Sequence, residues 1–195
     1  DNAELEWRYD EGSHSGKLRL LGYVNHAHMG DYQAALDLSP GSPDVTQTRD
    51  YRDKYGLGLG WEQDLNGDLG LFGRLGWNNG TTESWELTAV DQTASLGAVL
   101  KGSAWGRAGD QAGLGLVING LSSSHQAYLA AGGLDFNIGD GALRYAPEEV
   151  AELYYLFKPF SALGLTLDLQ GIANPAYNQD RGPVGIVSGR AHLEF

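Results

Sequence analysis

No cysteine occurs among the 195 residues of this chain. That excludes disulfide scaffolds, thiolate zinc sites and cysteine nucleophiles together, and leaves the redox compartment open. No apolar run approaches the roughly 18 residues that a membrane helix needs, because Gly, Asp or Lys breaks every such stretch within a few positions. Helical membrane insertion is therefore excluded. Cations are scarce: 13 Lys and Arg stand against 25 Asp and Glu, for a net charge of -12. Without a surplus of positive charge there is no footprint for a phosphate backbone, so nucleic acid is not an expected partner. The opening residues DNAELEWRYD have neither the basic start nor the apolar centre of a secretion signal. Either a leader has been removed or the chain begins partway into a longer one.

Glycine, by contrast, is abundant, with 29 residues, and the aromatic content reaches 10%. The hydrophobic pattern has a period of two. In KLRLLGYVN, Leu18, Leu20 and Val24 share one face while Lys17, Arg19 and Asn25 share the other, with Gly22 and Tyr23 adaptable. KYGLGLGWE sets Tyr55, Leu57, Leu59 and Trp61 against Lys54 and Glu62, and DLGLFGRLGWN sets Leu69, Leu71, Leu75 and Trp77 against Phe72, Arg74 and Asn78. The same alternation recurs in TASLGAVLKG, QAGLGLVING, EVAELYYLFK and LGLTLDLQG. With AELEWRY at the start and VGIVSGRAHLEF at the end, the pattern predicts about nine strands.

Such strands belong either to a soluble sandwich or to a transmembrane barrel with lipid on its apolar side and water on its polar side. Three features favour the membrane. The polar face is rich in charge and glycine, the apolar face carries aromatics towards strand ends (Trp7, Tyr9, Tyr55, Trp61, Trp77, Tyr155, Phe157), and the strands reach about ten residues, the length of a tilted spanning strand. The connections agree. Short links fall near 11–15, 65–68, 103–110 and 160–162, and longer ones near 29–51, 80–91, 122–148 and 174–182, in strict alternation. That is the asymmetry of tight periplasmic turns and longer external loops. GDYQAALDL and SHQAYLAAGG in the long loops have the composition of short helices. The fold class is thus all-β, an antiparallel transmembrane β-barrel, with residues 1–195 forming one region of it. An odd strand number would place Asp1 on the external side and leave two sheet edges open in lipid, so the expectation is the carboxy-terminal portion of a larger barrel.

Longer segments carry a more specific signal. LLGYVNHAHMGDYQAAL, DLGLFGRLGWNNGTTESW, SLGAVLKGSAWGRAGDQAGLGLVINGLS, IANPAYNQDRGPV and the closing HLEF resemble the carbohydrate-selective porin (OprB) family of Gram-negative outer membranes, over nearly the whole chain and in the order of that family's carboxy-terminal half. The resemblance implies a sixteen-stranded barrel in the outer membrane that admits monosaccharides and small oligosaccharides. It also implies a constriction formed by an early loop that this sequence does not include. Homotrimers are common among porins, and the terminal aromatic Phe195 after an alternating strand resembles the signal by which outer-membrane barrels are recognised by their assembly machinery.

For a sugar in a wet lumen, planar Arg donors, carboxylate acceptors and amides serve the hydroxyls, and aromatic rings serve the C–H faces. Sites must be weak and repeated, because deep binding would prevent exit. The lumen-facing candidates are Arg19, Arg74 and Arg190 as donors, Glu62, Glu152 and Asp168 as acceptors, and Tyr23, Phe72 and Tyr154 as aromatic surfaces, with Asn25, Asn78, Asn119 and Gln170 as amides. Any water-filled barrel is lined with such residues, so mutual neutralisation is the competing explanation. His26 and His28 share a face and are weak metal candidates; Asp64, Asn66 and Asp68 suggest a calcium loop but are too few, and NGD between strands reads first as a hairpin turn. No spacing nominates a catalytic triad, a phosphate loop or a cofactor. A non-selective or export channel, a barrel enzyme of the outer membrane and a soluble β-protein are the alternatives.

Overall fold

The computed structural model describes residues 1–12, 14–84 and 89–195. Ser13, in the turn predicted over 11–15, and residues 85–88, in the loop predicted over 80–91, lie outside the described residues. Among the described residues nine strands form one antiparallel sheet in simple sequential order. They are β1 (Asn2–Glu11), β2 (His14–Met29), β3 (Asp50–Asp64), β4 (Leu69–Asn78), β5 (Gln92–Lys101), β6 (Gln111–Gly120), β7 (Glu148–Phe160), β8 (Leu163–Ala173) and β9 (Val184–Leu193). Each strand pairs with the next, and β1 and β9 are the two edges. The predicted alternation of short and long connections is present. The register is continuous except between Phe157 and Phe160, where Pro159 has no N–H to give to the ladder and a bulge results.

Register fixes which side chains share a face, because directly opposed residues lie on the same side of a sheet. One face joins Leu20 to Leu59, Leu59 to Leu75, Leu75 to Ala94, Ala94 to Ile118, Leu116 to Ala151 and Leu153 to Leu169. Its large apolar side chains stand open: Leu57 is 64% exposed, Leu96 55% and Leu167 54%. A continuous exposed apolar face of this kind has no place in water, where each such side chain would forfeit about 1.5–3 kcal/mol of burial. It belongs against lipid. Towards its two ends it carries aromatic side chains: Tyr55 against Trp77 on one side, Trp61 donating to the Tyr9 hydroxyl (3.2 Å) and Trp105 near Tyr155 on the other. Tyr55 and Trp61 are separated by about 20 Å of strand. The opposite face bears Lys17, Arg19, Glu62, Arg74, Glu152 and Asp168 and is the lumen face. No helix of the described residues is long and apolar enough to cross a membrane.

Because neither face of the wall packs against a second sheet, the buried apolar core lies elsewhere, in the long connections. Tyr32, Ala35, Val45, Leu121, Tyr128, Leu129 and Tyr177 form it. Two short helices supply most of these residues: α1 (Tyr32–Leu38), capped by the Asp31 carboxylate on Ala34 N (2.8 Å), and α2 (Ser123–Ala130), capped by Ser122 Oγ on His125 N (3.2 Å). Both fall where helical composition was expected. The resulting cap bends over the lumen face at the external rim. Lys54, a lumen-face residue of β3, donates from Nζ to Thr82 O (2.9 Å), and Asn78 of β4 donates from Nδ2 to Val90 O (2.9 Å). The outer end of β3 thus supports the cap, and that of β2 does so through Met29, whose Sδ accepts from Thr82 Oγ1 (3.7 Å); at these ends the two strands, of 16 and 15 residues, run beyond the predicted ten.

Candidate functional site

Side chains on the lumen face assemble into two hollows. The first, of about 370 Å³, lies over β2–β4, and Lys17, Glu62, Phe72 and Arg74 are among its lining. Beside it, joined through Glu62, Arg19 is held between two carboxylates, donating from Nε to Glu6 Oε2 (2.6 Å) and from Nη1 to Glu62 Oε1 (2.5 Å), with Lys17 Nζ 3.9 Å from the other Glu62 oxygen. Arg8 donates to the second Glu6 oxygen at 2.5 Å. The guanidinium spends two of its five N–H donors in these contacts. The pairs are partly solvated, so their worth is rigidity of the wall more than stability.

A second hollow of about 420 Å³ continues from it over β4–β7, bordered by Phe72 and Arg74 on one side and by Glu152 and Tyr154 on the other, with Ser95 and Gly115 in its floor. The row Phe72–Gly97–Gly115–Glu152 runs straight across the four strands. Gln170 Nε2 donates to Glu152 Oε2 (3.0 Å), and Gln111 Nε2 donates to the Tyr154 hydroxyl (2.8 Å), so both side chains are oriented from below. Phe72 and Arg74 are shared by the two hollows.

Of the nine lumen candidates, Arg19 and Glu62 therefore meet in the first cluster, and Phe72, Arg74, Glu152 and Tyr154 around the second hollow. Asp168 pairs directly with Tyr154 and receives Ser188 Oγ at 3.3 Å, beside the hollow without lining it. Tyr23 lies apart, opposite Gly56, and Arg190 stands exposed on edge strand β9 opposite Thr166. Glu6 and Gln111 were missed as site residues, although the alternation that assigns Arg19 to the lumen assigns Glu6 there too. A larger groove of about 790 Å³, lined by Ala94, Leu96, Leu116, Ala151 and Gly171, opens on the lipid face and has no part in this chemistry.

A third polar constellation was not anticipated. In the cap, His125 Nδ1 lies 3.0 Å from Asp91 Oδ2 and Nε2 lies 3.0 Å from Asp135 Oδ2, the latter at ion-pair distance without hydrogen-bond alignment. The Tyr32 hydroxyl donates to Asp135 (2.6 Å), and its ring stacks on the imidazole at 4.2 Å. Burial opposes charge on His125, but the flanking Asp135 and Asp91 outweigh it and hold the imidazole above its ordinary value. Both carboxylates are likewise held below theirs against the cost of burial, chiefly by His125. These contacts join α1, α2 and two loops, and no local sequence signal marks them. His26 sits 2.7 Å from Asp53 and stacks on Tyr51, and among the described residues no group of three or more ligating side chains forms a metal site. Asn66 Oδ1 accepts from the Asp68 and Leu69 amides (both 2.9 Å), which makes the Asp64–Asp68 segment a hairpin turn.

Fold and site together define a segment of the wall of a water-filled transmembrane β-barrel, a porin wall. The profile of the carbohydrate-selective porin, OprB family matches residues 2–195, and the chain belongs to that family. As a member of that family it is a protein of the Gram-negative outer membrane. The chain is similar in fold to the high-pH structure of Pseudomonas putida OprB, with a TM-score of 0.77 at 20% identity, over 97% of this chain and 47% of that one. It thus spans about half the length of that solved relative. No curated protein matches the sequence.

Proposed function

We propose that this chain forms nine strands of a sixteen-stranded barrel, residues 1–195 being one region of it, through which monosaccharides and small oligosaccharides diffuse across the outer membrane. The observation that carries this reading is the pair of adjoining lumen hollows, in which aromatic rings and charges of both signs converge on spaces of 370 and 420 Å³. Cations and carboxylates on opposite borders serve hydroxyls as donors and acceptors without attracting ions of one sign, and the rings serve the C–H faces. Two shallow neighbouring sites suit passage better than one deep one. In this proposal Arg19, Glu62, Phe72, Arg74, Glu152 and Tyr154 touch the solute along the hollows, while Tyr23, Asp168 and Arg190 contact it above and beside them.

The decisive experiment is single-channel recording from the full-length protein in planar bilayers, with glucose and maltose titrated against a size-matched polyol. Concentration-dependent block by the sugars is expected. Conductance indifferent to sugar would leave a non-selective channel, the reading favoured by the neutralisation of Arg19 between Glu6 and Glu62. The same proposal includes a homotrimer, read out by native mass spectrometry from outer membranes, and recognition of β9 and the exposed Phe195 that follows it by the barrel assembly machinery.

A further inference from the structure

Phe72 and Tyr154 lie directly across from Gly97 and Gly113. A methyl group on Gly97 would collide with Cζ and Cε1 of Phe72, and one on Gly113 with Cε1 and Cζ of Tyr154. Each ring therefore lies along the sheet instead of standing out from it, because an opposed glycine leaves a bare stretch of backbone on which a ring can rest. From β4 and β7 the two rings lean towards one another over the adjacent strands β5 and β6. Gly97 faces Gly115, which is two residues from Gly113 along β6, so the two resting places are about 8 Å apart. Above Gly115 the space is open, and the hydrogen bond from Gln111 anchors the Tyr154 ring by its hydroxyl. Tyr23 repeats the arrangement over Gly56, where a methyl would come within 2.6 Å of the ring.

We propose that Gly97 and Gly113 are specificity-determining positions of the lumen, and that the rings they allow to lie flat form paired stacking platforms selective for chair-form pyranoses over acyclic polyols of the same size. The inference rests on the sugar-porin reading above and narrows it. A ring lying on the wall turns one full π face to the lumen, the surface that the axial C–H groups of a chair pyranose fit, while the rim hydroxyls of the sugar reach Arg74, Ser95 and Glu152. An acyclic polyol has the same hydroxyls but no rigid apolar face, and it loses rotamer freedom to lie flat. A ring standing upright would offer only its edge and would narrow the passage.

The test compares block by glucose with block by sorbitol, using the full-length protein in planar bilayers. Gly113→Ala retains Tyr154 but lifts its ring, since the side-chain end that meets the new methyl can swing away; glucose affinity is expected to fall roughly three- to ten-fold with sorbitol unchanged. Tyr154→Leu should give the same loss and stands in if Gly113→Ala fails to assemble. Gly189→Ala, on the lipid face opposite Leu167 with nothing within 4 Å of the new methyl, should change neither solute. A wild-type channel that prefers glucose while Gly113→Ala and Tyr154→Leu keep that preference would overturn the inference and leave the sugar-porin reading intact. A wild-type channel blocked equally by both solutes would sink the sugar reading itself.

Discussion

His125 has a carboxylate 3.0 Å from each ring nitrogen and is nearly inaccessible to water. The titratable groups around it come from every element packed there: Tyr32 from α1, Asp91 and Glu83 from the loop before β5, Lys54 from β3, 3.9 Å from Asp91, Asp135 from the loop after α2, and Tyr128 from α2 itself. Because the imidazole is held above its ordinary value, its contribution to the cap is fully present below about pH 6.5 and is lost as pH rises through the raised value. Asp91 and Asp135, held low, contribute above about pH 3.9 and lose that contribution as pH falls through their lowered values. Hydrogen exchange over residues 121–135, corrected for intrinsic rates, should therefore show greatest protection in the mildly acid range between these limits. His125→Ala, which removes the cation shared by Asp91 and Asp135 and leaves them with Lys54 at 3.9 Å and the Tyr32 hydroxyl, should cost about 3–5 kcal/mol of local opening free energy and abolish the alkaline limb. An unchanged protection profile in that variant would remove the network from the cap's support. At this scale little was legible beforehand. Asp91 and His125 are 34 residues apart and Tyr32 and Asp135 are 103 apart, and nothing in the flanking residues of either pair announces its partner. The lumen residues were more legible, since the alternation assigned Arg19, Phe72, Arg74, Glu152 and Tyr154 to the wet face.

The periodicity of a strand leaves successive side chains in different solvents, and β6 shows this sharply. Leu116 lies on the lipid face beside Leu96 and Ala151, whereas Val117, its chain neighbour, lies on the lumen face between Ser95 and Val150. Leu116→Arg should cost about 2–4 kcal/mol near mid-membrane and reduce the folded, heat-modifiable fraction in outer-membrane preparations. Val117→Arg should assemble normally and instead reduce single-channel conductance, because its charge reaches water. Equal assembly defects in the two variants would contradict the assigned faces. In the tight turn before β6, Asp110 bonds Arg107, accepts from the Tyr155 hydroxyl (2.5 Å) and from Lys158 N (2.9 Å), and is held well below the carboxylate range chiefly by Arg107. That turn should loosen only as pH falls far into the acid range, a change that exchange over residues 102–110 would detect. Strands and turns of this kind are local, so period, Gly–Asp turns and loop lengths located them. The excess length of β2 and β3 was not visible, because it depends on a cap built from residues elsewhere in the chain.

Among the described residues the sheet has nine strands and two unpaired edges, β1 and β9. In lipid, the unpaired N–H and C=O groups of those edges would be costly, so residues 1–195 refolded alone into detergent should give neither a heat-resistant band nor channels, while the full-length protein gives both. Channels from the 195 residues alone would show that the edges find another way to pair. The residue order by itself determined the strands, their two faces, the alternation of loops and the family, because a period of two and a short turn are written in neighbouring residues. The hollows, the rings resting on Gly97 and Gly113, and the His125 network were decided by register and by the folding of distant loops onto the rim. Those arrangements depend on which residues a strand meets across the ladder, and a shift of one position would move every such side chain to the other solvent.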